Sequence, residues 1–377
     1  MNVDMTNELK GWMQAIIIVY HYLNGYYINS IYILMRVFVS TYIALSGFGH
    51  FLYFWNKFSP KTVMECTSPK HLMRIYLALG YRYFQVILRM NLLNALLCLS
   101  LRKPYLAHYF VGLITYSYTL LTITMTCWLI LTQILTTVRN EVSNASRITA
   151  FIVVLVSAVA VSFIIGRDQH IFSKLFLVGP AGLLFSHPKY EWKARLTLDQ
   201  YSTQFGLLIG FLFAHCKQRT GSGEAKQTND SNKWKGYLKI LFFYSVGAGV
   251  IGVYIYIFAS KSRNYYVEVH QYFCHLPVAA IILLRNATKY MRGRVNTFFS
   301  WFGKFALELF ILQYHILLTS HMTKNFSIFT ENRIVNAMII TPSFVGVSYL
   351  THLLTGKICS LLMPNINFFP RRTDPIV

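Results

Sequence analysis

Apolar runs of about twenty residues, separated by short polar breaks, recur along almost the whole chain. A helix crossing a bilayer needs about 20 mostly apolar residues. On that rule, helices are predicted near 12–28, 31–55, 75–101, 105–137, 148–166, 200–216, 237–260, 270–290, 297–320 and 334–362. The expected fold is an all-α, polytopic transmembrane helix bundle of about ten spans. A shorter apolar piece, IFSKLFLVGPAGLLF at 171–185, is interrupted by Gly179, Pro180 and Gly182. It reads as a re-entrant or broken helix, which a membrane tolerates only where the backbone is buried in protein or lines a cavity. The polar, Gly/Ser-containing loop 217–236 divides six spans from four, with no internal repeat or inverted duplication. One membrane domain over 8–362 and a short tail, 363–377, are expected.

Composition strengthens the membrane reading. The chain of 377 residues is 55% hydrophobic, 13% charged and 16% aromatic. A net charge of +22 raises the question of nucleic acid. The Lys and Arg residues, however, sit in short loops between apolar runs, and no stacking motif accompanies them. That pattern implies positive-inside topology and contact with anionic membrane lipid, not nucleic-acid binding. The bias is mild and places 217–235 and the RNATKYMRGR loop (285–294) in the cytosol. Six scattered cysteines without a CxxC pair read as packing residues, so neither a disulfide framework nor a metal site is expected. The first apolar run, from Trp12, reads as an internal signal anchor, not a cleavable leader.

Several spans nevertheless carry groups that are costly inside a membrane. Ionisable residues there pair or line a cavity, and so mark functional sites. In the segment from Ser300 to Leu318, Lys304, Glu308 and His315 fall on one helical stripe, with Gln313 on another face. Lys304 and Glu308, four apart, are expected to pair, with Glu308 orienting His315. Gln14 and His21 share a face of the first span, and Arg36 and His50 are roughly aligned on the second. The SGFG sequence at 46–49 allows another backbone to approach closely or bends the helix. The third span adds Arg82, Arg89 and Asn91. Further on come Arg195 and Asp199, then His270, Gln271 and His275, then Arg285 and Asn286. Arg82, Arg285 and Lys304 also lie near enough to span ends to snorkel.

Histidines beside arginines suit acyl transfer. A neutral imidazole takes a proton from a sugar hydroxyl and makes it nucleophilic. Arginines clamp the phosphates of a nucleotide-based donor such as acetyl-CoA. On this reading His21, His315 and Glu308 are the candidate catalytic groups, and Arg36, Arg82 and Arg89 hold the donor. Gln14, His50, Asp199, Arg285, Lys304 and Gln313 support them. A transporter of a small anion or acyl donor is the competing class, favoured by the basic interior and the break at Gly179-Pro180. The lack of an inverted repeat counts against it.

The blocks LKGWMQAIIIVYHY (9–22), SGFGHFLYFW (46–55), YEWKARLTLDQY (190–201), HLPVAAIILLRN (275–286) and FFSWFGKFALELFILQYHILL (298–318) occur in that order. Together they resemble the multispan membrane domain of the eukaryotic sialic-acid and polysaccharide O-acetyltransferases. That family is also known from fungal capsule synthesis and plant wall acetylation. The likeness runs over about residues 8 to 360. It implies acetyl transfer from acetyl-CoA to glycan acceptors across a Golgi membrane, with the endoplasmic reticulum as alternative. Bacterial membrane acyltransferases with a His ending the first span and an Arg then SGF on the second are similar too, matching His21, Arg36 and Ser46–Phe48. In that pattern the His and Arg are the reactive and donor-binding groups. Larger members carry a luminal SGNH-type module before the membrane part. Eleven residues precede the first span here, so the chain is expected to lack that module. It would then act alone, or as an acetyl relay to a separate luminal SGNH-type protein. Leu317 replaces the usual Trp after QYHI, and Gln200 stands where a basic residue is common.

Overall fold

A computed structural model describes residues 3–58, 69–102, 105–139, 143–177, 189–220, 233–319, 324–325 and 332–366. The described chain is an all-α helix bundle. Its helices are α1 (Val3–Tyr22), α2 (Asn29–Lys57), α3 (Pro69–Leu101), α4 (Tyr109–Arg139), α5 (Asn144–Arg167), α6 (Gln169–Leu177), α7 (Lys189–Leu198) and α8 (Ser202–Thr220). They continue with α9 (Lys233–Ala259), α10 (Arg263–Phe273), α11 (His275–Asn286), α12 (Lys289–Gly293), α13 (Thr297–Lys304), α14 (Ala306–Ile316) and α15 (Arg333–Leu362). A two-residue antiparallel pair, Leu318–Thr319 with Lys324–Asn325, follows α14. Helix covers most of every predicted span, although α1 ends at Tyr22, short of 28, and the span 297–320 leaves helix after Ile316. The Gly179-Pro180 break lies outside the described residues, as does most of the 217–236 loop.

Six of these helices, α2, α3, α4, α5, α9 and α15, are long and apolar enough to cross a membrane. The pair α10–α11, bent by 59° at Cys274, makes a seventh if counted as one span. Pro277 explains that bend. Its ring and missing N–H forbid a bond back to Phe273, yet both are tolerated in the first turn of a new helix. The predicted span 297–320 is likewise two helices, parted at Phe305 (φ −117°, ψ 26°). Several helix starts carry side-chain caps, whereas α2, α11 and α14 start without one. Ser143 accepts from the Ser146 N–H at 3.1 Å, Asn296 from Phe299 at 3.1 Å and Asn332 from Ile334 at 3.0 Å.

Two glycine crossings fix how the helices that carry the candidate groups stand. A Cβ on Gly303 would lie 1.9 Å from the Asn7 carbonyl oxygen, and one on Gly11 would lie 2.0 Å from that of Phe299. α1 and α13 therefore touch backbone to backbone, which only glycine permits. α2 and α8 cross in the same manner, with Gly206 against the Ala44 carbonyl and Gly47 against that of Thr203. The close approach predicted for SGFG belongs to Gly47, since a Cβ on Gly49 would meet nothing within 4 Å. Gly303→Ala should force α1 and α13 apart at a cost of about 1–3 kcal/mol, the usual penalty for overpacking. Thermal melts in detergent should show a lower midpoint for Gly303→Ala, and Gly49→Ala should leave it unchanged.

At the far end of α2, an aromatic cluster locks α2, α4, α5 and α8 together. Phe151 stacks on Phe211 at 3.9 Å, and Trp55 on Trp128 at 5.8 Å. This end is rigid packing. Chemistry gathers at the other end.

Candidate functional site

The C-terminal turn of α1 and the first turns of α2 converge on a cavity of about 360 Å³. α1 brings His21, α2 brings Arg36, α7 brings Arg195 and α10 brings Arg263. Tyr20, Tyr26, Tyr32, Tyr109 and Tyr314 complete its polar lining. The His21 ring packs edge-on to Tyr20 at 4.9 Å and to Tyr314 at 5.8 Å. Its Nδ1 is buried and makes no hydrogen bond among the described residues. That leaves Nε2 as the nitrogen available to a ligand. Arg195 lies over the Tyr109 ring at 4.0 Å, and Arg263 over Tyr32 at 4.3 Å while donating to the Tyr26 carbonyl at 2.5 Å. The described lining holds three arginines and no carboxylate.

Arg36 is braced from behind. Its Nη2 pairs with Asp199, in the turn between α7 and α8, and both are buried, at 7% and 1% exposure. Ser40, one turn along α2, donates to Asp199 Oδ1 at 2.5 Å and lies 3.0 Å from His270 Nε2. Tyr254 and Tyr266 hydroxyls reach His270 Nδ1 at 2.8 and 2.7 Å. The Nε2–H tautomer fits best: Nδ1 accepts from one tyrosine hydroxyl at a time while Nε2–H donates to Ser40. The chain runs Tyr254/Tyr266, His270, Ser40, Asp199, Arg36. It fixes a guanidinium at the cavity wall with its charge already half answered.

The other predicted groups lie elsewhere. The donor set Arg36, Arg82 and Arg89 is not brought together. Arg82, on α3, sits over the Tyr53 ring at 4.7 Å and donates to Gln85 at 2.8 Å. Arg89 donates to Glu308 at 2.7 Å and to Thr355 at 2.8 Å, and His352 Nδ1 lies 3.2 Å from the same Glu308 oxygen. The expected Lys304–Glu308 pair does not form. The break at Phe305 separates the two residues, Lys304 is exposed, and Glu308 turns to α3 and α15. His315 faces away from His21: its Nε2 meets His108 Nε2 at 2.9 Å, and His108 Nδ1 meets Asn94 Oδ1 at 2.7 Å. Gln14 and Gln313 are buried within the bundle. Arg285 is a structural clamp, pairing with Glu8 at 2.6 Å and donating to the carbonyls of Met291 and Arg294. His50 lines a second cavity of about 160 Å³ with Lys10 and Tyr118. Tyr42, Phe110 and Phe310 stand between the two cavities, with ring centroids 5.4 and 4.5 Å apart.

These partners set different stability costs for the two residues. Lys304→Met should stay within about ±0.5 kcal/mol, as an exposed change does. Glu308→Ala should cost about 1.5–3 kcal/mol, the worth of a hydrogen bond to a charged group. Parallel melts of the two variants check the difference. Equal midpoints would mean that Glu308 is solvated.

Sequence comparison bears on this geometry directly. The family described as "10 TM Acyl Transferase domain found in Cas1p" matches residues 1–372. The chain belongs to that family. It is therefore a multi-pass membrane protein of an acyltransferase type. The zebrafish (Danio rerio) protein named N-acetylneuraminate (7)9-O-acetyltransferase is 29% identical over 372 residues. That alignment takes in 97% of this chain and 43% of the zebrafish protein, so the chain spans less than half of its curated relative's length. No solved structure matches. Within this family's domain, the block 9–22 supplies the cavity's imidazole, His21. The block from 298 supplies Gly303, which seats α13 against α1, and Tyr314, which backs the His21 ring.

Arg195, Arg263, Ser40 and His270 are the site residues that spacing alone did not assign. Arg195 and His270 were visible as polar groups in or beside apolar runs. Arg263 follows a polar SKS break and looked like an ordinary loop cation. Ser40 gave no signal, because a lone serine in a span more often bonds its own helix, and the Arg36 carbonyl stands 3.1 Å from its hydroxyl as the alternative acceptor.

Proposed function

We propose that the chain is a membrane O-acetyltransferase. It moves acetyl from acetyl-CoA to hydroxyls of glycan acceptors, sialic acid or polysaccharide, in a Golgi-type membrane. The observation that carries this reading is a single histidine facing a cavity with three arginines and no carboxylate in its described lining. His21 Nε2 takes the proton of an acceptor hydroxyl as that oxygen attacks the thioester carbonyl carbon. The C–S bond breaks, the ester forms, and the departing thiolate receives the proton back from the imidazolium. Arg36 and Arg263 supply donors for the phosphate oxygens of acetyl-CoA, and their planar forks suit bidentate contacts. The family membership supports the acyl-transfer class, and the relative's name supports a sugar hydroxyl as acceptor.

The deciding experiment uses purified protein in liposomes with acetyl-labelled acetyl-CoA and a sialylated glycan. Label in an ester on the glycan is the expected result. Label that crosses the bilayer still joined to CoA would make the protein a transporter. Label that stays on the protein until an SGNH-type protein is added would make it a relay.

A further inference from the structure

A cavity of about 720 Å³ lies between α4 and α5 and is capped at one end by Trp192 of α7 and by Tyr105. Thr115, Tyr116, Thr119, Thr124 and Ser157 line it, yet most of the lining is apolar. Thr119 bonds the Thr115 carbonyl at 2.8 Å, Thr124 that of Leu120 at 2.7 Å, and Ser157 that of Val153 at 2.9 Å. With their hydroxyls turned to their own helices, these residues offer carbon to the groove. Gly112 and Ala158 give it depth, and exposed Ile123 and Val161 mark its lipid side. From Gly112 to Cys127 it follows α4 for roughly 22 Å, at 1.5 Å per residue. Its volume falls in the range of about 300–1,000 Å³ usual for ligand pockets.

The capped end lies beside the arginine cavity. Gly112 is one turn from Tyr109, whose ring lies under Arg195, and Trp192 is one turn before Arg195 on α7. Residues three apart share a helix face, so the hydrocarbon slot ends about one helical turn from a cationic, histidine-bearing site.

We infer that slot and cavity together hold one amphiphile, with its hydrocarbon tail between α4 and α5, its phosphate at Arg195 and its sugar hydroxyl at His21. This rests on the acyl-transfer reading and narrows the acceptor to a lipid-linked sugar phosphate. Apolar lining selects the tail, and the carboxylate-free arginine lining selects the phosphate.

The test uses the full chain in nanodiscs with an isoprenyl-phosphate sugar carrying a photoactivatable diazirine on its tail. Crosslinks should map to 112–127 and 154–161. Ala158→Phe should fill the slot and lower the yield at least about tenfold, or about 1.4 kcal/mol of binding. Labelled acetyl-CoA binding should be unchanged. Ser157→Leu, at an exposed position, gives the same readout should Ala158→Phe fail to fold. Equal yield from a diazirine phospholipid or from the phosphate-free isoprenoid would overturn the inference, as would yield that survives both variants. Ester formation on soluble glycan but not on the lipid-linked sugar would overturn it while leaving the acetyltransferase intact. Specific crosslinking with no ester on any acceptor would instead sink the acyl-transfer reading and leave a lipid-binding site.

Discussion

Replacing His21 by alanine should lower acetyl transfer by about 10²–10⁴-fold, the usual contribution of a general base. The protein should stay folded and membrane-inserted, because the ring makes aromatic contacts at the end of α1 and sits in no ion pair among the described residues. A rate assay with labelled acetyl-CoA, run beside a thermal melt, separates the two effects. His315→Ala is the matched control. Its ring meets His108 outside the cavity, so it should slow the reaction far less. A His21→Ala enzyme that keeps more than about a tenth of its rate would remove the imidazole from the mechanism.

The second large effect is on stability. Asp199→Leu should cost about 3–5 kcal/mol, because it leaves Arg36 buried and uncompensated. Ser40 and His270 lose their anchor in the same step, so cooperative melting should broaden as well as shift. Arg36→Met combined with Asp199→Leu should recover most of the midpoint, since an apolar pair of similar volume is often tolerated where a broken pair is not. It should not recover activity, because the cavity has lost a fixed phosphate donor. Thermal melts and transfer rates of the two variants decide this. A single variant that melts like the parent would show that water already screens the pair.

Much of this molecule was legible in one dimension. Long apolar runs dictate helices in a bilayer because every backbone N–H and C=O must be satisfied within the segment. Ser143, Asn296 and Asn332 mark helix starts by side-chain chemistry that is local in sequence. His21 and Arg36 share one cavity, across a short turn between two adjacent helices.

Partner choice was not legible. A helical stripe places Lys304 and Glu308 side by side only if the helix is continuous, and the break at Phe305 removes that condition. Glu308 then meets Arg89 and His352, which lie 219 and 44 residues away. Arg195 and Arg263 reach His21 from α7 and α10, and Ser40 reaches His270 across 230 residues. The sequence by itself determined which segments are helical and which of their residues are too polar to face lipid. Only the tertiary structure decided which of those residues meet. Helix rotation and crossing are set by non-local contacts, above all the Gly11–Gly303 and Gly47–Gly206 approaches, and a turn of rotation exchanges one buried partner for another.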